Sequence, residues 1–336
     1  MVNTPDNAAF SMVLESMNAE MARAPAIIQP SKFWQDLNQK HGERLANSGL
    51  ENFRRTLAKD YFTWMRVLPW DSQIRFLVKN LPAREVGKAI IGAFKKHEYL
   101  GVAESLAMNF LSRLLWSYTK QEHPEITDLS ECPFGNPPLV SDGKHLVSQD
   151  LANSLLEFSS YRDAVHGTVC ELGGGYGRNA YVTAMRGTFE RYILVDIAPA
   201  LGVAQAFIEH AFPTDPMFRF RPFSSYDEIR DDLKAARFAF LLPHQMALLP
   251  SGSVDLFINI SSLHEMRRDQ VDYYLSEIRR LTRVDGHFYL KAWATSNNPD
   301  DEVRINADDY DLSGFEQVYW RTPKVQTRFF ETLQKR

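Results

Sequence analysis

The fold of this chain is decided by one stretch, Thr168-Val169-Cys170-Glu171-Leu172-Gly173-Gly174-Gly175-Tyr176-Gly177-Arg178. An apolar run ends there in an acidic residue and a glycine cluster follows, after which residues 179–185 have a helical composition. Glycines are expected where a strand turns sharply into a helix, because the backbone enters positive φ there and because a ligand can then touch it. The stretch therefore predicts a strand, a tight turn and a helix.

The spacing of the glycines separates the nucleotide ligands that such a turn can hold. A dinucleotide motif G-x-G-x-x-G that starts at Gly173 needs a third glycine where Arg178 stands. The register that starts at Gly175 ends at Ala180, which is a tolerated variant, so spacing alone leaves a dinucleotide open. A P-loop needs lysine and then serine or threonine after the last glycine, where this chain has Arg178 and Asn179.

An acid followed by alternating glycines, Glu171-x-Gly173-x-Gly175-x-Gly177, resembles the first motif of class I S-adenosylmethionine (SAM) methyltransferases. In that family the acid faces the cationic amino group of the methionine part of SAM, and the glycines let the chain pass beside it. A carboxylate would repel a pyrophosphate, which disfavours an NAD-binding oxidoreductase. The alternative is a glycine turn without any ligand. The resemblance assigns to the cofactor site Glu171, Gly173, Gly174, Gly175 and Gly177.

A second acid follows the next apolar run, Tyr192-Ile193-Leu194-Val195-Asp196. It stands roughly 20 residues after the last glycine, the offset at which an acid meets ribose hydroxyls in a nucleotide-binding βαβ unit. An aspartate that ends a strand can also cap a helix. Together with Glu171 and the glycines, Asp196 predicts a contact to the ribose of the cofactor.

The ends of the third and fourth strands complete the predicted cofactor site. The third strand ends in Pro243-His244-Gln245-Met246, where methyltransferases of this class hold the adenine. Gln245 is predicted to bind the adenine amino group and Met246 to pack on the ring, with a simple loop as the alternative. Ser261, at the end of the fourth strand, is assigned to the same site.

The composition is that of a globular protein that does not bind nucleic acid. The chain has 336 residues, 44% hydrophobic and 24% charged, with a net charge of −4. Its basic pairs lie in helical-looking segments near acids, which indicates solvated helix faces. The two cysteines, Cys132 and Cys170, give neither a disulfide framework nor metal spacing. Without an apparent signal peptide or transmembrane stretch, a cytoplasmic location is expected.

The distribution of apolar residues predicts two domains. Apolar residues recur with a helical period up to about Tyr118, and a proline-rich stretch occupies about residues 123–147. Strands and helices then alternate, which predicts an α/β fold with a mainly parallel sheet. Runs at 315–320 and 325–330 predict a closing antiparallel hairpin. We therefore predict an all-helical domain with its linker over residues 1–147 and a Rossmann-like, SAM-binding methyltransferase domain over residues 148–336.

The candidate catalytic residues follow the fourth strand. Methyl transfer to a hydroxyl needs alignment of the reactants and a base, and an imidazole titrates near working pH. His264 is the candidate base, and Glu265 would orient it or bind substrate hydroxyls; helix capping is the alternative for His264. Residues 259–262 lack the Asn/Asp-Pro-Pro-aromatic tetrad of enzymes that methylate nucleobase or amide nitrogens. The acid pairs at 300–301 and 308–309 could hold Mg²⁺, but solvated loop acids are the preferred interpretation, and no metal is predicted.

Over roughly residues 30–330 the chain resembles a bacterial family described as sugar O-methyltransferases. This resemblance implies that the helical domain is a lid and that Asn52, Tyr61 and Trp64 contribute to the acceptor pocket, although Trp64 also suits a packed core. Asn136, held between prolines, is a fourth candidate for binding the substrate, with a plain linker as the alternative. The resemblance rests on residues 49–55, 60–64, 134–138, 171–178 and 262–266.

These observations predict a SAM-dependent O-methyltransferase that acts on a small hydroxylated metabolite, a sugar or a secondary-metabolite intermediate. The alternatives are methyl transfer to nitrogen or sulfur of a small heteroatom-rich compound and a scaffold that keeps the fold without catalysis. The expected partner is a small-molecule acceptor, with neither nucleic acid nor membrane, and a homodimer is left open.

Overall fold

A computed structural model describes residues 7–57, 70–94, 102–298 and 303–336 of the chain. The α-helices are α1 (Asn7–Arg23), α2 (Lys32–Ser48), α3 (Phe53–Thr56), α4 (Trp70–Asn80), α5 (Ala83–Ala93), α6 (Val102–Glu122), α7 (Gln149–Tyr161), α8 (Arg178–Arg186), α9 (Ala200–Ala211), α10 (Arg230–Ala235), α11 (Pro243–Met246) and α12 (Arg268–Leu281). The strands are β1 (Val140–Ser141), β2 (Leu146–Val147), β3 (Thr168–Leu172), β4 (Arg191–Val195), β5 (Met217–Phe218), β6 (Phe238–Leu241), β7 (Val254–Ile260), β8 (Thr282–Trp293), β9 (Thr295–Asn298), β10 (Val303–Asn306), β11 (Glu316–Arg321) and β12 (Phe329–Lys335).

One eight-stranded sheet has the strand order β11-β12-β8-β7-β3-β4-β6-β5. The strands β8, β7, β3, β4, β6 and β5 are parallel to one another. Strand β12 lies between β8 and β11 and runs antiparallel to both. The central strands are buried along almost their whole length, as parallel strands covered on both faces require. The order confirms the predicted fold class, a Rossmann-like, mainly parallel sheet with a closing antiparallel hairpin.

Among the departures from the predicted strands, two lie after β8. The second run of the hairpin, predicted at 325–330, forms its strand at Phe329–Lys335 instead. The β9–β10 ladder was not predicted, because its first strand, Thr295-Ser296-Asn297-Asn298, is polar throughout and has no apolar alternation.

Two compact units divide the chain. We call the described residues of 1–47, 161–323 and 328–336 the sheet unit, and those of 48–160 and 324–327 the helical unit. The prediction divided the chain between residues 147 and 148, whereas α1 and nearly all of α2 belong to the sheet unit. Phe10 and Met17 of α1 are buried and lie against Gly202 at the start of α9, which accounts for this grouping.

One face of the sheet is covered by a helix whose apolar residues recur with a helical period. In α12 the buried residues Val271, Tyr274, Leu275, Ile278 and Leu281 follow the three- and four-residue spacing of one helix face. They join a core cluster with Cys170 and Leu172 of β3. Because side chains alternate along a strand, Glu171, which stands between Cys170 and Leu172, points to the opposite face of the sheet.

The proline-rich stretch predicted as a linker is an ordered part of the helical unit. Phe134 is buried and its ring lies 6.0 Å from that of Phe53. Gly135 adopts a φ of +77°, and any Cβ there would overlap with the Phe53 ring. The buried Arg54 guanidinium donates to Glu131 Oε2 at 3.0 Å and approaches Asp150 Oδ2 at 3.4 Å, an ion-pair network that fixes the stretch to α3 and α7.

Candidate active site

The candidate site lies at the carboxyl ends of the parallel strands. The strand order reverses at β3, because β4 and β6 lie on one side of it and β7 and β8 on the other. In open α/β sheets, ligands bind outside the carboxyl ends at such a switch point. The glycine turn follows β3, and the candidate catalytic residues follow β7, so both sequence motifs meet at this point.

The turn after β3 adopts the backbone conformation that its glycines permit. Gly173, Gly175 and Gly177 have φ values of +77°, +57° and +90°, and Gly177 directly precedes α8. A side chain at Gly173 would overlap with the Ser262 hydroxyl. The turn therefore needs glycine at Gly173 both for its conformation and for the close approach of the segment after β7.

Glu171 lies buried beneath this turn. Asn179 Nδ2 donates to its Oε1 at 2.9 Å, and the Tyr192 hydroxyl donates to its Oε2 at 2.8 Å. A Cβ at Gly174 would lie 3.3 Å from Oε2, so the carboxylate lies against the backbone of the turn. Glu171 thus places a negative charge under the glycines while protein donors satisfy its oxygens.

Asp196 joins the end of β4 to the same turn. Gly175 N–H donates to its Oδ2 at 2.8 Å, and Ile197 N–H donates to its Oδ1 at 2.7 Å. Burial raises the pKa of Asp196 to about 7 against the opposing effect of these two donors, and the charge of Glu171 adds to the rise. A positively charged or hydroxyl-bearing ligand beside this group would therefore stabilise its charged form.

Ser261 is the strained residue at the end of β7. Its φ is +56°, which is uncommon for a residue with a side chain, and its N–H donates to Lys291 O at 2.8 Å. Its Oγ is buried and has no hydrogen-bond partner among the described residues. Backbone strain of this kind clusters at ligand sites, which agrees with the predicted cofactor role.

The two residues predicted to hold adenine lie in α11, the short helix after β6. Gln245 Oε1 accepts from Leu242 N–H at 2.9 Å, and its Nε2 donates to Arg221 O at 2.8 Å. Met246 is fully buried in the core cluster that includes Leu172. An adenine contact from Gln245 stays a prediction, and it would require the exchange of one of these two hydrogen bonds.

His264 lies in the short 3₁₀ turn Leu263–Glu265, which we call the 263–265 turn. Its side chain is 4% exposed and its ring packs edge-on against Trp293 and Phe329, with ring centroids 6.2 Å and 6.5 Å away. This burial lowers the pKa of His264 to about 3. The imidazole is therefore neutral at physiological pH and a weak base.

Glu265, the next residue, is less buried than His264. Its side chain is 33% exposed, and its Oε1 lies 3.7 Å from His264 Nε2. Burial raises the pKa of Glu265 to about 8, and the charge of Asp196 adds to the rise. The carboxyl group thus titrates near neutral pH and keeps access to solvent.

In the helical unit, two of the four predicted substrate residues meet. Asn136 Nδ2 donates to Asn52 Oδ1 at 2.6 Å, and Arg55 Nε donates to Asn136 O at 2.6 Å. Asn136 is exposed, and its φ of +54° is one that asparagine tolerates. Tyr61 and Trp64, the other two candidates, lie outside the described residues.

The segment that precedes α2 was not predicted to reach the site. Beyond the contact of α1 with Gly202, Gln270 Nε2 at the start of α12 donates to Ile27 O at 3.0 Å and to Gln29 O at 2.7 Å. Because α9 follows β4 and α12 follows β7, residues 7–29 run along the carboxyl ends of the sheet. Only buried tertiary contacts reveal this path, since the segment has no motif of its own.

The acid pairs considered for Mg²⁺ divide between described and undescribed parts of the chain. Asp300 and Asp301 lie outside the described residues, whereas Asp309 pairs with Arg268 at 3.3 Å. Within the described ranges, no group of three or more His, Cys, Asp or Glu side chains is arranged to hold a metal ion. No helix in that part of the chain has the length and apolar character that crossing a membrane requires.

Solved structures with a similar fold include several methyltransferases. A SAM-dependent methyltransferase of the DUF858 family from Leishmania major is 12% identical, with a TM-score of 0.38 over 55% of this chain and 72% of its own. The 1,6-didemethyltoxoflavin-N1-methyltransferase of Burkholderia thailandensis, solved with 1,6-didemethyltoxoflavin and S-adenosylhomocysteine (SAH), is 16% identical, with a TM-score of 0.36 over 56% and 78%. The cyclase SpnF is 14% identical, with a TM-score of 0.39 over 56% and 83%.

No protein-family model matches the chain, and no curated protein matches its sequence. The structural likenesses cover about half of the chain at low identity, so they concern the fold. The function has to be inferred from the site itself.

Proposed function

We propose that this chain transfers the methyl group of SAM to a hydroxyl group of a small metabolite. The observation behind the proposal is the group of acidic residues at neighbouring strand ends, Glu171, Asp196 and Glu265, which surround a glycine turn at the switch point of the sheet. Anions in this arrangement suit a cationic ligand with ribose hydroxyls and would repel a diphosphate. The fold and the site chemistry therefore favour SAM over a dinucleotide.

The residues present fit this donor. Glu171 supplies negative charge below the turn for the ammonium group, and Asp196 supplies carboxylate oxygens for the ribose. Ser261 offers a buried hydroxyl that has no partner among the described residues. When bound, SAM supplies an electrophilic methyl group on a positively charged sulfur. Its carbon–sulfur bond breaks as the acceptor oxygen forms the new carbon–oxygen bond, and SAH is released.

Glu265 is the better candidate for the base that takes the proton of the hydroxyl. A base works best with a pKa near the operating pH, which the Glu265 value of about 8 satisfies and the His264 value of about 3 does not. Glu265 is also partly exposed, whereas His264 is packed between aromatic rings. We therefore assign proton removal to Glu265 and a packing role to His264.

The acceptor is proposed to be a hydroxylated small molecule such as a sugar. The base favours oxygen as the acceptor atom, since hydroxyls must lose a proton and amines or thiols need less help. The hydrogen-bonded pair of Asn52 and Asn136 offers amide groups to such hydroxyls, with Tyr61 and Trp64 as further candidates. The lid role of the helical unit, membership of the sugar O-methyltransferase family and a cytoplasmic location belong to the same proposal.

The test combines cofactor binding with turnover in three variants. SAM and SAH binding is measured by calorimetry, and SAH release is measured with a panel of sugars, polyols and phenols as acceptors. Glu265→Gln should lower kcat by about 10²–10⁴-fold and leave the Kd for SAM within a few-fold, because only the base is lost. His264→Gln should keep most of the activity. Glu190→Gln, an exposed residue before β4, serves as the matched control.

Each outcome has a distinct meaning. Absence of SAM and SAH binding would contradict the proposed donor and favour a scaffold. Full activity in Glu265→Gln together with loss in His264→Gln would return the base to His264. Full activity in both variants with a flat pH profile would favour transfer to nitrogen or sulfur.

A further inference from the structure

The β9–β10 ladder packs on the turn that bears the proposed base. The Ser296 hydroxyl, on β9, donates to the backbone carbonyl of His264 at 2.8 Å. This bond joins residues 32 positions apart and ends on the 263–265 turn, directly before Glu265. The ladder is thus a neighbour of the base in space, although it follows β8 in sequence.

The ladder is attached both to the core cluster of the sheet and to the start of α12. Ser296 is paired with Ile305, which is 1% exposed and belongs to the core cluster of the sheet. Asn306 N–H donates to Asp309 Oδ2 at 2.7 Å, and Asp309 pairs with Arg268 at the start of α12. These contacts fix the position of Ser296, so its hydroxyl can fix the position of the His264 carbonyl.

The 263–265 turn has few internal hydrogen bonds to set its own orientation. Glu265 N–H donates to Ser262 O at 3.0 Å, and Leu263 N–H donates to Asn259 Oδ1 at 3.2 Å. Met266 N–H donates to Leu263 O at 3.2 Å, whereas the His264 carbonyl accepts from outside the turn, and a carbonyl left without a partner is costly. The Ser296 bond supplies that partner for His264 and limits rotation of the peptide that leads into Glu265.

We propose that Ser296 is a positioning residue for the methyl transfer: its hydroxyl fixes the His264 carbonyl and thereby the direction of the Glu265 carboxylate. The inference rests on the proposed function of Glu265. Misplacement of a catalytic group by about 1 Å can cost on the order of 10²-fold in rate. Loss of the hydrogen bond from Ser296 to the His264 carbonyl can therefore have a measurable effect on kcat.

The variants for the test are Ser296→Ala, Ser296→Thr and a control. Ser296→Ala should lower kcat by about 10- to 100-fold, with KM for the acceptor and Kd for SAM within about twofold. Ser296→Thr keeps the hydroxyl on a residue that suits a strand, so it should restore most of kcat. Ser276→Ala removes a comparable hydroxyl bond, to Tyr273 O at 2.7 Å on the exposed face of α12, and should leave kcat unchanged.

A double-mutant cycle separates this inference from the function on which it rests. If Ser296 acts through Glu265, Ser296→Ala should have no further effect on kcat in the Glu265→Gln background. Equal losses in both backgrounds, or failure of threonine to restore activity, would overturn the positioning role and leave the proposed base intact. Full activity of Glu265→Gln alone would instead overturn the proposed base.

Discussion

Two carboxyl groups, those of Asp196 and Glu265, determine how the site responds to pH. Both have a pKa raised above the ordinary value, to about 7 and about 8. The folded protein without ligand therefore binds protons that the unfolded chain has already lost. The stability from these groups is complete below pH 4 and is lost as pH rises through 7 and 8. A bound cation would reverse this effect, because it stabilises the charged carboxylates.

We therefore expect the affinity for SAM to rise with pH. Ionisation of Asp196 alone, from a pKa of about 7, should lower the Kd about eightfold between pH 6 and 7.5, with release of protons on binding. Calorimetry in two buffers of different ionisation enthalpy measures both quantities. Asp196→Asn should weaken SAM binding and reduce the number of protons released. A Kd that is the same at both pH values would show that neither carboxyl group responds to the ligand.

The glycine turn after β3 is the element on which the donor site depends. Its geometry at Gly173 combines a positive φ with contact to the Ser262 hydroxyl, so two independent constraints exclude a side chain there. The same turn lies over the Glu171 carboxylate and binds Asp196 through Gly175 N–H. A change in the turn should therefore disturb the contacts of both acids.

Gly173→Ala should abolish or strongly weaken SAM binding, by about 100-fold or more in Kd, and should lower the free energy of unfolding by about 1–3 kcal/mol. The matched control is Gly42→Ala in α2 of the same unit, where an added Cβ has open space around it. That control should stabilise the protein by about 0.4–1 kcal/mol and keep the Kd for SAM. Thermal unfolding and SAM titration measure the two effects, and unchanged binding in Gly173→Ala would show that SAM does not use this turn.

Elements with a strong apolar period were predictable from sequence. Helix α7, Gln149–Tyr161, is such an element, and it begins after Ser148, whose hydroxyl accepts from Leu151 N–H at 2.9 Å as an N-cap. Elements held by tertiary contacts alone were not predictable. The polar strand β9 has no apolar alternation, and residues 7–29 have no motif that points to α9 or α12.

For the site, residue type and strand position placed the candidate side chains at the strand ends, whereas the roles that we propose for them rest on burial. Glu171, Asp196 and Gly173 stand at the carboxyl ends as expected from the motif. The contrast between His264 and Glu265 could not be read from two adjacent letters. It depends on the rings of Trp293 and Phe329, which approach from strands β8 and β12.

On the scale of the whole molecule, the donor residues and the asparagine pair belong to different compact units. Glu171, Asp196 and Glu265 lie in the sheet unit, whereas Asn52 and Asn136 lie in the helical unit. In the proposed function, residues of the sheet unit bind the methyl donor, and residues of the helical unit bind the hydroxyls of the acceptor.

Hydrogen exchange should display this division. SAH should slow exchange at residues 172–178, 196–197 and 261–265, because bound ligand reduces local opening at the strand ends. Addition of an acceptor to that complex should further slow exchange at residues 52–55 and 133–136. Exchange at residues 187–190, which precede β4 and lie at its amino end, serves as the internal control. Protection by SAH at 52–55 but not at 172–178 would contradict the assignment of the donor to the sheet unit.

The placement of α1 and α2 in the sheet unit has a consequence for biosynthesis. The helical unit interrupts the sheet unit between α2 and β3, so a ribosome releases most of the helical unit before any strand of the large sheet exists. Phe10 and Met17 stay uncovered until α9, which carries Gly202, has been made. Strand β8 likewise lacks its antiparallel neighbour until β12 has been made. The nascent chain therefore exposes this apolar surface until α9 and β12 have been made.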